Sequence, residues 1–160
     1  MNRLSLFAVA ALAFASPASA QNPGQIQRSM TTSCPSCNLF QADYTNRQMK
    51  ARDYSKARLR QANMSAAIMN GTNFSGADLR DVNAYGGLFT SANFANADLT
   101  NASFVGAYLQ GANFRGANLA GANFAGAEMN RATGLTQAQL NAACGDATTL
   151  LPRGLRLRAC

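Results

Sequence analysis

Two cysteines with two residues between them, Cys34-Pro35-Ser36-Cys37, form the spacing in this chain most often put to chemical use. A CxxC pair acts as a redox centre when one sulfur is held as a thiolate at a helix N-terminus, usually inside a βαβ frame. No βαβ pattern surrounds it here. Zinc would need four ligands, and two thiolates with neither a histidine nor a second nearby CxxC do not supply them. General acid–base work falls to aspartates, because the chain has no His and a single glutamate, Glu128. Asp78 and Asp98 lie twenty residues apart, and the periodicity described next stacks them in one outward column flanked by Arg58 and Asn118. Two carboxylates about 4.8 Å apart can share a proton or a cation. A solvated column balanced by Arg58 is the simpler reading, so no catalytic, cofactor or metal site is assigned and the chain is read as a non-enzyme.

What positions these residues is a five-residue repeat running from Cys37 to Arg131: CNLFQ, ADYTN, RQMKA and so on for nineteen units, ending ANLAG, ANFAG, AEMNR. Five is neither the helical period of 3.6 nor the strand period of two. The third residue of each unit is large and apolar, Ala84 excepted, and the first is small in nearly every unit after Arg52. Two apart on an extended segment, they face the same side, and the Asn or Asp between them faces the other. The fifth residue is often Gly, Asn or Asp, the types that tolerate a left-handed backbone. A short straight segment and a turn, repeated, close into a coil. With four segments per coil every twentieth residue shares a column, and the column 39, 59, 79, 99, 119 is Leu throughout while 54, 74, 94, 114 reads Tyr, Phe, Phe, Phe. The rod is about 23 Å long at a strand spacing of about 4.8 Å.

The units, as in GANFRGANLAGANFAGAEM, resemble those of the pentapeptide-repeat family. That resemblance implies an all-β fold, a right-handed quadrilateral β-helix. It departs at Arg47 and Arg52, which stand where a small inward residue is expected, so the first coil is expected to be irregular. Some members of this family mimic DNA in shape and charge and bind type II topoisomerases. Such proteins are cytoplasmic and acidic on their surface.

The N-terminus points elsewhere. Arg3, an apolar run from Leu4 to Phe14 and Ala18-Ser19-Ala20 read as a signal peptide over residues 1–20, cleaved after Ala20, for a periplasmic or secreted protein. The apolar run is too short to span a bilayer, and no later segment qualifies. Without Arg3 there are 13 basic and 7 acidic side chains, a net charge of +6. Six of the basic residues, Arg47, Lys50, Arg52, Lys56, Arg58 and Arg60, crowd the start of the repeat. Such a cluster attracts anionic surfaces. Export argues against a nucleic-acid partner.

Residues 21–36 are read as an N-terminal cap and 132–160 as a C-terminal cap. Thr136-Gln137-Ala138-Gln139 fits a capping box, and Leu135, Leu140 and Ala143 have the spacing of a short amphipathic capping helix. Leu150, Leu151, Leu155 and Leu157 are expected to fold back on it. Four cysteines in an exported chain imply two disulfides. Cys34 and Cys37 precede the first coil while Cys144 and Cys160 follow the last, and a cross-pair would span about 20 Å against the roughly 4.4–6.8 Å that bonded Cα atoms allow. The expected pairs are therefore Cys34 with Cys37 and Cys144 with Cys160.

One outer column stands apart. On three faces the second residue of the unit is polar, but on the fourth it reads Gln48, Ile68, Leu88, Tyr108, Glu128, with Tyr85 and Val105 beside it. Ile68, Leu88, Tyr108, Tyr85 and Val105 are the candidate interaction stripe, for an unidentified protein partner in the envelope or for self-association. The leading function is a non-catalytic, exported interaction or scaffolding module of the bacterial envelope. A topoisomerase-binding DNA mimic is the alternative, and a CxxC thiol-redox protein ranks third.

Overall fold

From Gln41 to Gly126 every fifth residue has a positive φ, between 53° and 71°, whether it is Gly, Asn or a residue as ill-suited as Ala51 or Lys56. A left-handed residue at the third place of a β-turn folds the chain back, and the turn closes with bonds such as Ala42 N–H to the Leu39 carbonyl at 3.1 Å. In the computed structural model residues 21–160 are described. The signal-peptide reading of residues 1–20 falls outside them.

Between turns, three residues run straight and pair with the coil above and below. The pairing is parallel and steps by twenty from Asn38↔Arg58 to Asn113↔Thr133. Leu39 N–H donates to the Arg58 carbonyl and Arg58 N–H to the Cys37 carbonyl, each at 2.8 Å, and the motif recurs up the rod. Four faces result, here named by the column at their centre: face A (38, 58, 78, 98, 118), face B (43, 63, 83, 103, 123), face C (48, 68, 88, 108, 128) and face D (53, 73, 93, 113, 133). The register then slips. Asn123 pairs with Cys144 and Glu128 with Leu150, steps of twenty-one and twenty-two.

The interior is filled in layers by the first and third residues of each unit, nearly all buried. Face D contributes a column of rings, Tyr54, Phe74, Phe94 and Phe114, stacked at centroid distances of 5.7, 5.3 and 5.2 Å. The small residue at Ala84 is compensated locally. Phe89 lays its ring over Gly87 and meets Phe104, one coil on from Ala84, edge-on at 5.6 Å. A Cβ on Gly87 would lie 2.5 Å from Phe89 Cε2.

The first coil is regular, contrary to the expectation from Arg47 and Arg52. Their carbonyls accept from Ile68 N–H and Asn73 N–H at 2.8 Å, as any coil's would. No coil lies beneath Arg47 to enclose it, so the side chain leaves the core and is exposed.

Each end has its own helix. Helix α1 (Pro23–Ser29) starts with Asn22 accepting from Gln25 N–H and with Pro at its first turn, the arrangement in which proline's missing N–H costs nothing. Tyr44 and Tyr54, the lowest rings of the core, direct their hydroxyls into it: Tyr44 Oη and Ser29 Oγ are 2.6 Å apart, and Tyr54 Oη donates to the Ser29 carbonyl at 2.7 Å. Gln25 Oε1 accepts from Asn38 N–H and Ser33 Oγ from Asp53 N–H, so side chains satisfy the open ladder edge. At the far end α2 (Gln137–Asn141) has a capping box formed by Thr136 and Gln139. Leu140 and Ala143 are buried, and Gln139 Nε2 donates to the Phe114 and Ala117 carbonyls at 2.9 and 2.8 Å. Strand β1 (Cys144–Gly145) pairs in parallel with β2 (Arg158–Ala159). Leu151, Leu155 and Leu157 pack on the core. Leu150 does not: it is 48% exposed.

Candidate interaction face

On three of the faces the second residue of most units, an Asn or Asp, has a job. Its side-chain oxygen accepts the backbone N–H two residues on, holding the turn: Asp43 from Thr45 at 3.0 Å, Asn73 from Ser75 at 3.1 Å, Asn118 from Ala120 at 3.2 Å. Along face D the carboxamides also bond to one another, Asn113 to Asn93 to Asn73 to Asp53, at 3.0 to 3.2 Å. These bonds favour the ionised aspartates. The Thr45 hydroxyl lowers the Asp43 pKa, and the Ser55 N–H does the same for Asp53.

Face C does without this bond. Ile68, Leu88 and Tyr108 carry no carboxamide, and the ladder pairs them in one column that ends Glu128↔Leu150. Ile68 and Leu88 are half-buried and Tyr108 is 44% exposed. Tyr85, 61% exposed, stands on the corner leading into the face, with half-buried Val105 one coil on. Among the described residues Tyr85, Tyr108 and Leu150 are the exposed large apolar side chains, and all three fall on this face or its edge. Leu150 joins the column through the register slip, which the periodic reading does not contain.

Elsewhere the candidate chemical groups are occupied. Arg80 binds Asp78 through two nitrogens, each at 2.7 Å, and reaches Asp98 at 3.7 Å. The Arg80 hydrogen bonds hold the Asp78 carboxyl below its usual range. Asn118 Nδ2 donates to Asp98 Oδ1 at 3.2 Å. Arg80, not Arg58, balances this column. Cys34 and Cys37 form a disulfide with Cα atoms 5.5 Å apart, and Cys144 and Cys160 another at 4.8 Å. Cys34 is buried and its N–H bonds the Asp53 carbonyl, which makes the CxxC segment a rung beneath face D. Among the described residues no three His, Cys, Asp or Glu groups converge as a metal site, and no helix is long and apolar enough to cross a membrane.

Residues 37–114 match the pentapeptide repeat region and residues 107–144 match pentapeptide repeats in eight copies. The chain is a pentapeptide-repeat protein. It is similar to the pentapeptide-repeat protein HetL of Nostoc sp. strain PCC 7120, described as involved in heterocyst differentiation regulation, at 25% identity and a TM-score of 0.43 over 72% of this chain. It spans 58% of HetL's length. A pentapeptide-repeat protein of the Arabidopsis thaliana thylakoid lumen is likewise 25% identical, with 66% of this chain and 74% of that one covered and a TM-score of 0.46. QnrB1, a plasmid-mediated fluoroquinolone resistance protein, is 18% identical over 76% of this chain and 79% of its own, with a TM-score of 0.42. No curated protein sequence matches. The pentapeptide-repeat frame accounts for the β-helix and its core.

Proposed function

We propose that this protein is a non-catalytic interaction module of the bacterial envelope, a right-handed coil that uses face C to hold a protein partner. The observation that carries the reading is an exchange of a structural bond for an apolar surface. On faces A, B and D an Asn or Asp braces most turns; on face C consecutive coils present Ile68, Leu88 and Tyr108 instead. A hydrogen bond of this kind contributes about 0.5–1.5 kcal/mol. A rod selected for stability alone would have kept it, and local rules given up without a packing gain mark functional surface. The acidic, DNA-like surface of a topoisomerase-binding mimic is missing, since the described residues carry a net charge of +6.

The test is Tyr108→Asn, which supplies the missing acceptor to Gln110 N–H. It should raise the midpoint of thermal unfolding while reducing capture of the crosslinked periplasmic partner; Leu88→Asp should reduce capture without a gain in stability, because Thr90 N–H is already held by Asn70 Oδ1 at 2.9 Å. Capture that is unchanged in both variants removes face C from the function.

A further inference from the structure

The charge of this rod is sorted along its axis. Residues 21–60 hold seven basic side chains and two acidic ones, residues 61–130 two basic and four acidic, and residues 131–160 four basic and one acidic. The N-terminal end is thus +5, the middle −2 and the far end +3. At the N-terminal end the charges go round the perimeter: Arg47 on face C, Lys50 on the next corner, Arg52 on face D, Lys56 on the following corner, Arg58 on face A and Arg60 on the corner after it. Only Arg60 is in an ion pair, with Asp81 at 3.2 Å; among the described residues the other five, and Arg28 on α1, are in none. Nε of Arg52 is shielded from solvent and lacks a hydrogen-bond partner.

An arc of six cations over three of the four faces, five of them outside any ion pair, does not fit a ligand that occupies one groove. It fits a plane met by the end of the rod. We infer that the N-terminal end docks end-on against an anionic lipid surface, with the rod standing away from it. A basic residue beside such a surface contributes about 1 kcal/mol, and the attraction fades within a Debye length of about 8–10 Å. Residues 47–60 lie on the first two full coils, about 5 Å apart, behind the CxxC rung and α1 with its Arg28, and their flexible stems carry the charges past these toward the rim. Standing on this end, the rod brings the whole arc within range and holds the acidic middle beyond it. Lying on face A it would bring Arg58 down together with Asp78 and Asp98, lying on face C it would bring Arg47 and Lys50 down together with Glu128, and lying on face D it would bring down Lys50, Arg52, Lys56, Arg115 and Arg131 with Asp53 but leave Arg47, Arg58 and Arg60 turned aside. The far end offers Arg131, Arg153, Arg156 and Arg158 against Asp146, and Arg158 is already bonded to the Ala143 carbonyl.

Two variants with the same net charge separate a docking end from general attraction. Lys50→Glu with Lys56→Glu, and Arg153→Glu with Arg156→Glu, each lower the charge by four, and all four side chains are exposed or on exposed turns. Binding of the protein as isolated from cells is measured by co-sedimentation with phosphatidylglycerol-containing and with pure phosphatidylcholine vesicles over a salt series. The lysine pair should weaken binding to anionic vesicles at least about thirtyfold, at about 1 kcal/mol per lysine, and the arginine pair less than about threefold. Lys50 and Lys56 are the only lysines in the chain, so an amine-reactive footprint reports orientation directly. Both should be protected on anionic vesicles and reactive in free solution. Arg115→Glu with Arg131→Glu, on the corners of face D away from the N-terminal end, should weaken binding less than about threefold. A loss there equal to that of the lysine pair, which would lay face D on the surface, equal losses from the lysine and far-end arginine pairs, binding to neutral vesicles that salt does not reverse, or lysines that stay reactive on the vesicle would each overturn the proposal.

Discussion

The compensation around Gly87 can be tested quantitatively, and it lies directly beneath the interaction face. An alanine there would place its Cβ 2.5 Å from Phe89 Cε2, 3.1 Å from Cζ and 3.3 Å from the Ala84 carbonyl oxygen. Ordinary carbon–carbon contact is about 3.5–4.0 Å, so the ring must retreat by about 1 Å in a core without spare volume. Overpacking of this kind costs about 1–3 kcal/mol. With a urea m-value of about 1–3 kcal/mol/M, Gly87→Ala should lower the unfolding midpoint by about 1 M. The next coil already shows the remedy, because it carries Ala107 with Leu109 and fills the neighbouring layer with Phe104. In the background of Phe89→Leu with Ala84→Phe, Gly87→Ala should therefore cost less than about 0.5 kcal/mol, a coupling readable from a mutant cycle. Gly106→Ala is the control: its φ is +64° and a Cβ there meets nothing within 4 Å, so its cost of about 1–2 kcal/mol is conformational and independent of Phe89. If Gly87→Ala costs the same with and without the Phe89 ring, the packing argument is wrong.

Other consequences are simpler to measure. Burial pushes the Tyr44 pKa up to about 12 and that of Tyr54 higher still, above an ordinary value of 10.0. The folded state then holds protons that the unfolded chain releases, so stability is complete below pH 10 and falls above it by about 1.4 kcal/mol per pH unit for each tyrosine; urea midpoints at pH 9 and pH 11 should differ, and Tyr44→Phe should shrink the difference. Replacing Cys144 and Cys160 by serine opens a loop with a sequence separation of 16 and should cost about 3 kcal/mol in chemical denaturation. Asn93→Ala removes the acceptor for Ala95 N–H and breaks the carboxamide ladder on both sides, and should lower stability by about 1–2 kcal/mol, where Tyr108→Ala on face C should cost less.

What could be read in the residues follows from how the ladder works. Parallel pairing by twenty carries the spacing of the sequence unchanged into space, so the Leu column, the ring column and the sequence Ile68, Leu88, Tyr108 were legible by counting. Counting fails where another element enters the coil. Helix α2 and the turn after it add one residue before Cys144 and two before Leu150, which put Leu150 into face C and out of the fold-back expected of it. Arg80 sits on a corner, where the column rule says nothing about the direction of a long side chain, so its pair of hydrogen bonds to Asp78 is not legible by counting. Helix α1 did leave signals: Asn22-Pro23 is a helix start, and tyrosine in place of phenylalanine at Tyr44 and Tyr54 marks core positions with a polar neighbour.

The two disulfides sit at the two ends of the ladder, one in the rung below face D and one joining the final strand to its neighbour. A stack of nearest-neighbour units comes apart most easily from its termini, where only one interface must be broken to free a unit. The Cys144–Cys160 bond ties the last strand to its neighbour and blocks peeling there, while the Cys34–Cys37 bond closes a separation of only three residues and joins no second coil, so peeling is left to the N-terminal end. Reduction would thus act on lifetime more than on shape: the same coil, at nearly the same equilibrium structure, would begin to unzip from its C-terminal end as well, and proteases that wait for a loose terminus would find a second one.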